Sequence, residues 1–260
     1  MAWHSKRHNI KHRKAAQDSK KAKIYAKASK VIQMAATSWD DPSLNPALDL
    51  AIKQAKQVGL NKDAIQYAVD KWAGNDTGEV LTENIYEWYA PGGVALVIKC
   101  ITSNTNRTAS SVKTLLSKYG GNIWEPGSVA RQFELKGEIV ISGKIEIVKV
   151  KGKDIEKIHP LESDDFQMEV METDAEDVEM IEPEVGSDDS VLGRVVTARE
   201  DFASVLSHFE DWWYKIESSD LAYIPSNKLE ITDIYREKLE RLIDILEDDE
   251  DVDTVWHNAV

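Results

Sequence analysis

The sequence predicts an α+β chain in which an N-terminal three-helix bundle precedes two ferredoxin-like α/β domains, one inserted in the other. Three observations carry that expectation. Apolar residues recur at helical spacing through roughly residues 20–75. A β-α-β order then occurs twice, once after Pro91 and once at the C-terminus. The acidic stretch between them has strand and helix patterns of its own.

In the bundle, KIYAKASKVIQMAA places Ile24, Ala28, Val31, Ile32 and Ala35 on one helical face, and Asp41-Pro42 breaks that helix. Asn45 is a helix cap, Pro46 suits the first helical position, and PALDLAIKQAKQV runs to Gly59 as a stop. Asn61 can cap a third helix, KDAIQYAVDKWA, which ends at Gly74, and GNDTGEVLTEN reads as the linker that follows.

The period then changes. GVALVIKCI is a β-run entered through Pro91-Gly92-Gly93, NRTASSVKTLLSKY is an amphipathic helix stopped by Gly120-Gly121, and SVARQFEL alternates like a half-buried strand. KLEIT, IYREKLERLIDILEDD and DTVWHNA repeat that order at the C-terminus, so the two halves would share a ferredoxin-like sheet. Inside the insert, EIVISGKIEIVKV, DVEMIEP, VLGRVVT and LAYIP read as strands. SDDFQMEVMET and REDFASVLSHFEDWW read as helices, giving a second βαββαβ unit. The expected domains are 1–78, 79–137 together with 227–260, and 138–226.

Composition excludes several classes. The single cysteine, Cys100, rules out an intramolecular disulfide and a multi-cysteine zinc site, and its place in VALVIKCI reads as inert packing. The longest wholly apolar run is Val94–Ile98, far short of the roughly 20 residues of a membrane span. Residues 1–23 hold no apolar core of a signal peptide, so a soluble cytoplasmic protein is expected. There is no GxSxG, P-loop or HExxH motif, which points away from an enzyme. The run Glu247–Asp251 lacks the glycine of a calcium loop and reads as a solvated helix end. His4, His8 and His12 are spaced four apart and would share a helical face, but no carboxylate or thiol accompanies them, so neither a metal nor a cofactor is assigned.

Charge is the informative quantity. The chain has a formal net charge of −14, yet residues 1–71 carry 14 basic and 6 acidic side chains while residues 161–260 carry 7 and 30. In the first thirty residues ten lysines and arginines face only Asp18. Phosphate neutralisation releases counterions, so such an arm suits a polyanion. Expected nucleic-acid contacts are His4, Ser5, Lys6, Arg7, Lys11, His12, Arg13, Lys14, Lys20, Lys21, Lys23 and Lys27. A membrane partner is disfavoured because Ile10 is the one large apolar residue in 4–23. Asn104, Asn106 and Arg107 in TSNTNRTASS form a secondary anion-contact candidate at a helix start, with capping as the ordinary alternative. Tryptophans 72, 88, 124, 212 and 213 could stack on bases or fill cores. An acidic adaptor that binds a basic protein through residues 161–260 is a further alternative.

The segments HSK at 4–6, NIKHRKAAQDSKKAKIY at 9–25, YAPGGVAL at 89–96, NRTASSVK at 106–113, KYGGN at 118–122, GSVARQFE at 127–134 and VWHN at 255–258 resemble the YebC/PmpR family. Its organelle relative is the mitochondrial translational activator of cytochrome oxidase. The resemblance spans almost the whole chain, and Trp3 and Arg7 depart from the Gly and Trp usual there. It implies three domains, no catalytic residue and no cofactor. The implied role is a probable DNA-binding transcriptional regulator. The alternative is a ribosome-associated translation factor that binds ribosomal RNA or tRNA and relieves stalling at proline-rich stretches.

Overall fold

The computed structural model describes residues 21–37, 40–73, 80–120, 129–150, 153–182 and 191–260. Contacts divide the chain into two units, Met1–Gln132 with Asn227–Val260, and Phe133–Ser226.

The first unit opens with three helices: α1 (21–36), α2 (Pro46–Gln57) and α3 (Lys62–Ala73). Their apolar stripes meet in a core of Ile32, Leu48, Ala51, Ala55, Leu60, Ile65, Ala68 and Val69. The Asn45 side chain accepts from the Leu48 backbone N–H (3.2 Å) and donates from Nδ2 to the Ala35 carbonyl (2.8 Å). One residue therefore caps α2 and ties it to the end of α1. Gly59, at φ +86°, closes α2, and the Tyr25 hydroxyl donates to its carbonyl (3.0 Å).

After the bundle come β1 (Thr82–Ala90), β2 (Val94–Thr102), α4 (Thr105–Lys118) and a 3₁₀ turn, Ala130–Gln132. The last two elements of this unit, α7 (Asp233–Glu247) and β8 (Val252–His257), lie beyond the second unit in sequence. The sheet is antiparallel with order β1-β2-β8. Leu96, Ile98 and Cys100 of β2 pack with Val112 and Leu116 of α4 and with Leu239, Leu242 and Leu246 of α7. The α+β class is as expected, but the strands of this sheet differ from those predicted. β1 begins inside the stretch read as a linker. KLEIT is not a strand, and its Leu229 makes a lone bridge to Ala259.

The second unit contains β3 (Phe133–Val150), β4 (Lys153–His159), α5 (Ser163–Val170), β5 (Ala175–Ile181), β6 (Leu192–Thr197), α6 (Phe202–Asp211) and β7 (Tyr214–Pro225). The spatial order β7-β3-β6-β5, antiparallel throughout, is the split βαββαβ pattern expected for the insert. SVARQFEL and EIVISGKIEIVKV, expected as strands of different domains, merge here: β3 is one strand of 18 residues whose far half pairs with β4. Gly193 and Gly137 permit close packing in this unit, because a Cβ on either would collide with Phe166 or Phe202 respectively.

Candidate nucleic-acid interface

Of the residues expected to contact nucleic acid, Lys21, Lys23 and Lys27 are described, and all three lie on the first turns of α1. His4, Ser5, Lys6, Arg7, Lys11, His12, Arg13, Lys14 and Lys20 lie outside the described residues, as do the three spaced histidines. Lys21 is exposed, its Nζ 5.5 Å from the Tyr25 ring centroid.

The next lysines along α1 engage the acidic segment that joins α7 to β8. Lys23 Nζ pairs with the Asp248 carboxylate at 3.1 Å. Lys27 Nζ donates to the Glu247 carbonyl at 2.6 Å. Burial lowers the Lys27 pKa, opposed by Asp253, Glu247, Asp249 and Asp248. Lys30 Nζ donates to the Glu250 carbonyl (2.8 Å) and to Asp251 Oδ1 (2.9 Å). The side-chain ends of Lys23 and Lys27 are thus held by this chain, whereas Lys21, two residues before Lys23, makes no ion pair with a described carboxylate.

Asp251 is the hub of that contact. Its other oxygen, Oδ2, accepts from Arg107 Nη2 (2.9 Å) and Thr108 Oγ1 (2.8 Å), both on the first turn of α4. Burial pushes the carboxyl upward, but the bonds from Lys30, Arg107 and Thr108 outweigh it and hold the pKa down to about 2. Ser111 donates to Asp249 (2.7 Å) and Lys99 pairs with Asp253 (2.8 Å). The acidic run ends α7 with Glu247, Asp248 and Glu250 exposed, as expected of a solvated helix end, but its last member, Asp251, is buried and paired. It is an acidic strap, buried at Asp251, that gathers cations from α1, β2 and α4.

The same contact accounts for TSNTNRTASS. Asn104 caps α4 by accepting from the Arg107 backbone N–H (3.1 Å), the ordinary alternative foreseen for it. The anion at this helix start is Asp251 of the same chain, which also takes the Arg107 guanidinium. Asn106 is exposed. From sequence, Asp251 was read only as part of the acidic run and Thr108 only as a capping candidate, and Ser111 was not singled out. The available signal was the opposition of a basic first segment and an acidic last one.

The tryptophans separate by environment. Trp88 of β1 is buried in the core, and its Nε1 has no partner among the described residues. Trp212 packs on His208, ring centroids 3.9 Å apart, while Trp213 is exposed at φ +62°. The side chains of Trp72 and Trp124 lie outside the description. Among the described residues no helix is long and apolar enough to cross a membrane, and no group of three or more metal-binding side chains occurs.

Residues 5–75 match the TACO1/YebC protein N-terminal domain, and residues 81–259 match the TACO1/YebC second and third domain. The chain belongs to the TACO1/YebC family. A probable transcriptional regulatory protein of Kosmotoga olearia is 40% identical over 99% of this chain and 94% of its own length. One of Enterococcus faecalis is 40% identical over 100% and 99%. The crystal structure of a conserved hypothetical protein from Aquifex aeolicus superimposes with a TM-score of 0.77 at 30% identity, covering 92% of this chain and 90% of that one. In this TACO1/YebC chain the N-terminal match begins at Ser5, so it takes in most of the basic arm.

Proposed function

We propose that this TACO1/YebC protein is a non-enzymatic regulator of gene expression that binds nucleic acid, in the first instance DNA, through its basic N-terminal arm. The observation that carries the reading is the charge partition: ten cations against Asp18 in the first thirty residues of a chain of net charge −14. An acidic body repels a polyanion, so binding is concentrated at the one segment of opposite sign. The docking of Lys23, Lys27 and Lys30 adds a physical role for the rest of α1. It anchors the helix to the strap between α7 and β8, and the basic arm precedes that anchored helix in sequence. The full-length relatives named probable transcriptional regulatory proteins support the same reading.

The test leaves the docked lysines in place. Lys11, Lys14, Lys20 and Lys21 changed together to Glu should abolish a gel shift on promoter-sized DNA while leaving the thermal melt unchanged. Wild-type binding should fall steeply with salt, by about 0.9 in log–log slope for each phosphate neutralised. Unaltered binding by the quadruple variant would refute the arm. Sedimentation with ribosomes at matched salt, unaccompanied by any DNA shift, would move the target to ribosomal RNA.

A further inference from the structure

A second cluster, away from the strap, has the chemistry of a ligand site. The turn Pro91-Gly92-Gly93 between β1 and β2 borders a cleft of about 560 Å³ together with Tyr89, Gly120 and Tyr235. Gly92, Gly93 and Gly120 all adopt positive φ, +86°, +81° and +82°. Tyr235 packs directly on Gly92, where a Cβ would meet its ring at 3.0 Å. Gly93 differs: a Cβ there would meet nothing within 4 Å, so its bare backbone borders open space.

The surroundings of this cleft are cationic and aromatic. Lys238 Nζ lies 5.7 Å from the Tyr235 ring centroid. Lys118 Nζ and Arg241 Cζ lie 5.8 Å and 6.0 Å from the ring of Tyr119, the neighbour of Gly120. All three cations are exposed, and none forms an ion pair with a described carboxylate. That is a local reversal of sign, because residues 161–260 hold 30 acidic side chains and 7 basic ones. At helical spacing, Glu237, Glu240 and Asp244 fall on the side of α7 opposite Tyr235, while Lys238 falls beside it.

Rings that accept a flat base, cations that accept phosphate, and bare backbone that allows close approach are what an unpaired nucleotide requires. The volume lies within the range of small-molecule sites. We propose that this cleft is a second nucleic-acid subsite that takes one unpaired nucleotide of a single strand. The base would lie against Tyr235 and Tyr89, with the phosphates on Lys118, Lys238 and Arg241. This rests on the nucleic-acid reading above and adds the state of the strand, single rather than duplex.

The test uses the full chain and fluorescence anisotropy with labelled oligouridylate, labelled oligothymidylate and a labelled DNA duplex over a salt series. K238E/R241E, both exposed positions, should weaken single-strand binding about tenfold and make its log–log salt slope shallower by about 1.4, leaving duplex affinity unchanged. Tyr235→Leu, which keeps an apolar contact on Gly92, should weaken single-strand binding with no change of slope. Oligouridylate and oligothymidylate responding alike assigns the site to the base and phosphate common to both; a response confined to one assigns it to that strand. Single-strand affinity equal to wild type in both variants, with unchanged melts, overturns the subsite while the arm stands. A wild-type chain that binds neither single strand nor duplex overturns the nucleic-acid reading and this one together.

Discussion

Replacing Asp251 by Asn should loosen the contact between α1 and the acidic strap, and its cost follows from the geometry. The Asp251 side chain is 9% exposed, and its carboxylate receives Lys30 at 2.9 Å, Arg107 at 2.9 Å and Thr108 at 2.8 Å. Its pKa is depressed from 3.8 to about 2, a difference that corresponds to about 2 to 3 kcal/mol of stability at neutral pH. Because the folded value lies below the unfolded one, that contribution is complete above about pH 5 and disappears as pH falls towards 2. Asn also leaves Lys30, 25% exposed, without its counter-charge, whereas Arg107, 65% exposed, is rehydrated. A total near 3 kcal/mol lowers the melting temperature of a unit of this size by about 6 to 12 °C. Circular-dichroism melts of wild type and Asp251→Asn from pH 7 downward measure it. The gap should hold to about pH 5 and be roughly halved near pH 3. Melting curves that coincide at pH 7, or a gap that persists undiminished at pH 3, would refute the assignment of Asp251 as the charged hub.

Two further outcomes test other parts of the first unit. Gly92→Ala and Gly93→Ala should each cost about 1 to 2 kcal/mol in a urea titration, because both positions need positive φ. Only Gly92→Ala should also shift the NMR resonances of Tyr235, whose ring a Cβ at 92 meets at 3.0 Å. Cys100 should resist iodoacetamide at pH 8 until the chain unfolds. Burial foremost, with Asp249, Asp251 and Asp253 adding, pushes its thiol up to about 12, so almost no thiolate is present. Rapid alkylation of the folded protein would contradict the packing of β2.

The local elements were legible where a single residue type carries the signal. Asn45, Pro46 and Gly59 bound α2 as their chemistry requires, and Asn104 caps α4. β1 was hidden because charges interrupt its apolar run: Tyr86, Trp88 and Ala90 turn to the core while Glu83 and Glu87 share the other face with Ile85 and Tyr89. Glu87 has a purpose that only distant chain supplies, accepting the backbone N–H groups of Val129 and Ala130 at 3.0 Å and 2.8 Å. SVARQFEL alternates correctly for a strand, yet alternation does not say which sheet receives it. Pairing of Phe133–Lys144 with β7 places that strand in the second unit. Of the interface, the polarity of the arm was readable, but the engagement of Lys23 and Lys27 by their own chain was not.

The sequence by itself determined where helices start and stop, where the chain must turn through glycine, and which end carries which sign. Those are decided within a few residues, by capping, by φ and by period. Tertiary structure alone decided that Lys30 meets Asp251, 221 positions away. It also set Tyr235 over Gly92 and left Lys118, Lys238 and Arg241 without an ion pair to any described carboxylate. Such pairings depend on strand register and on burial that raises the cost of an unmatched charge, and neither is written in any one stretch of the chain.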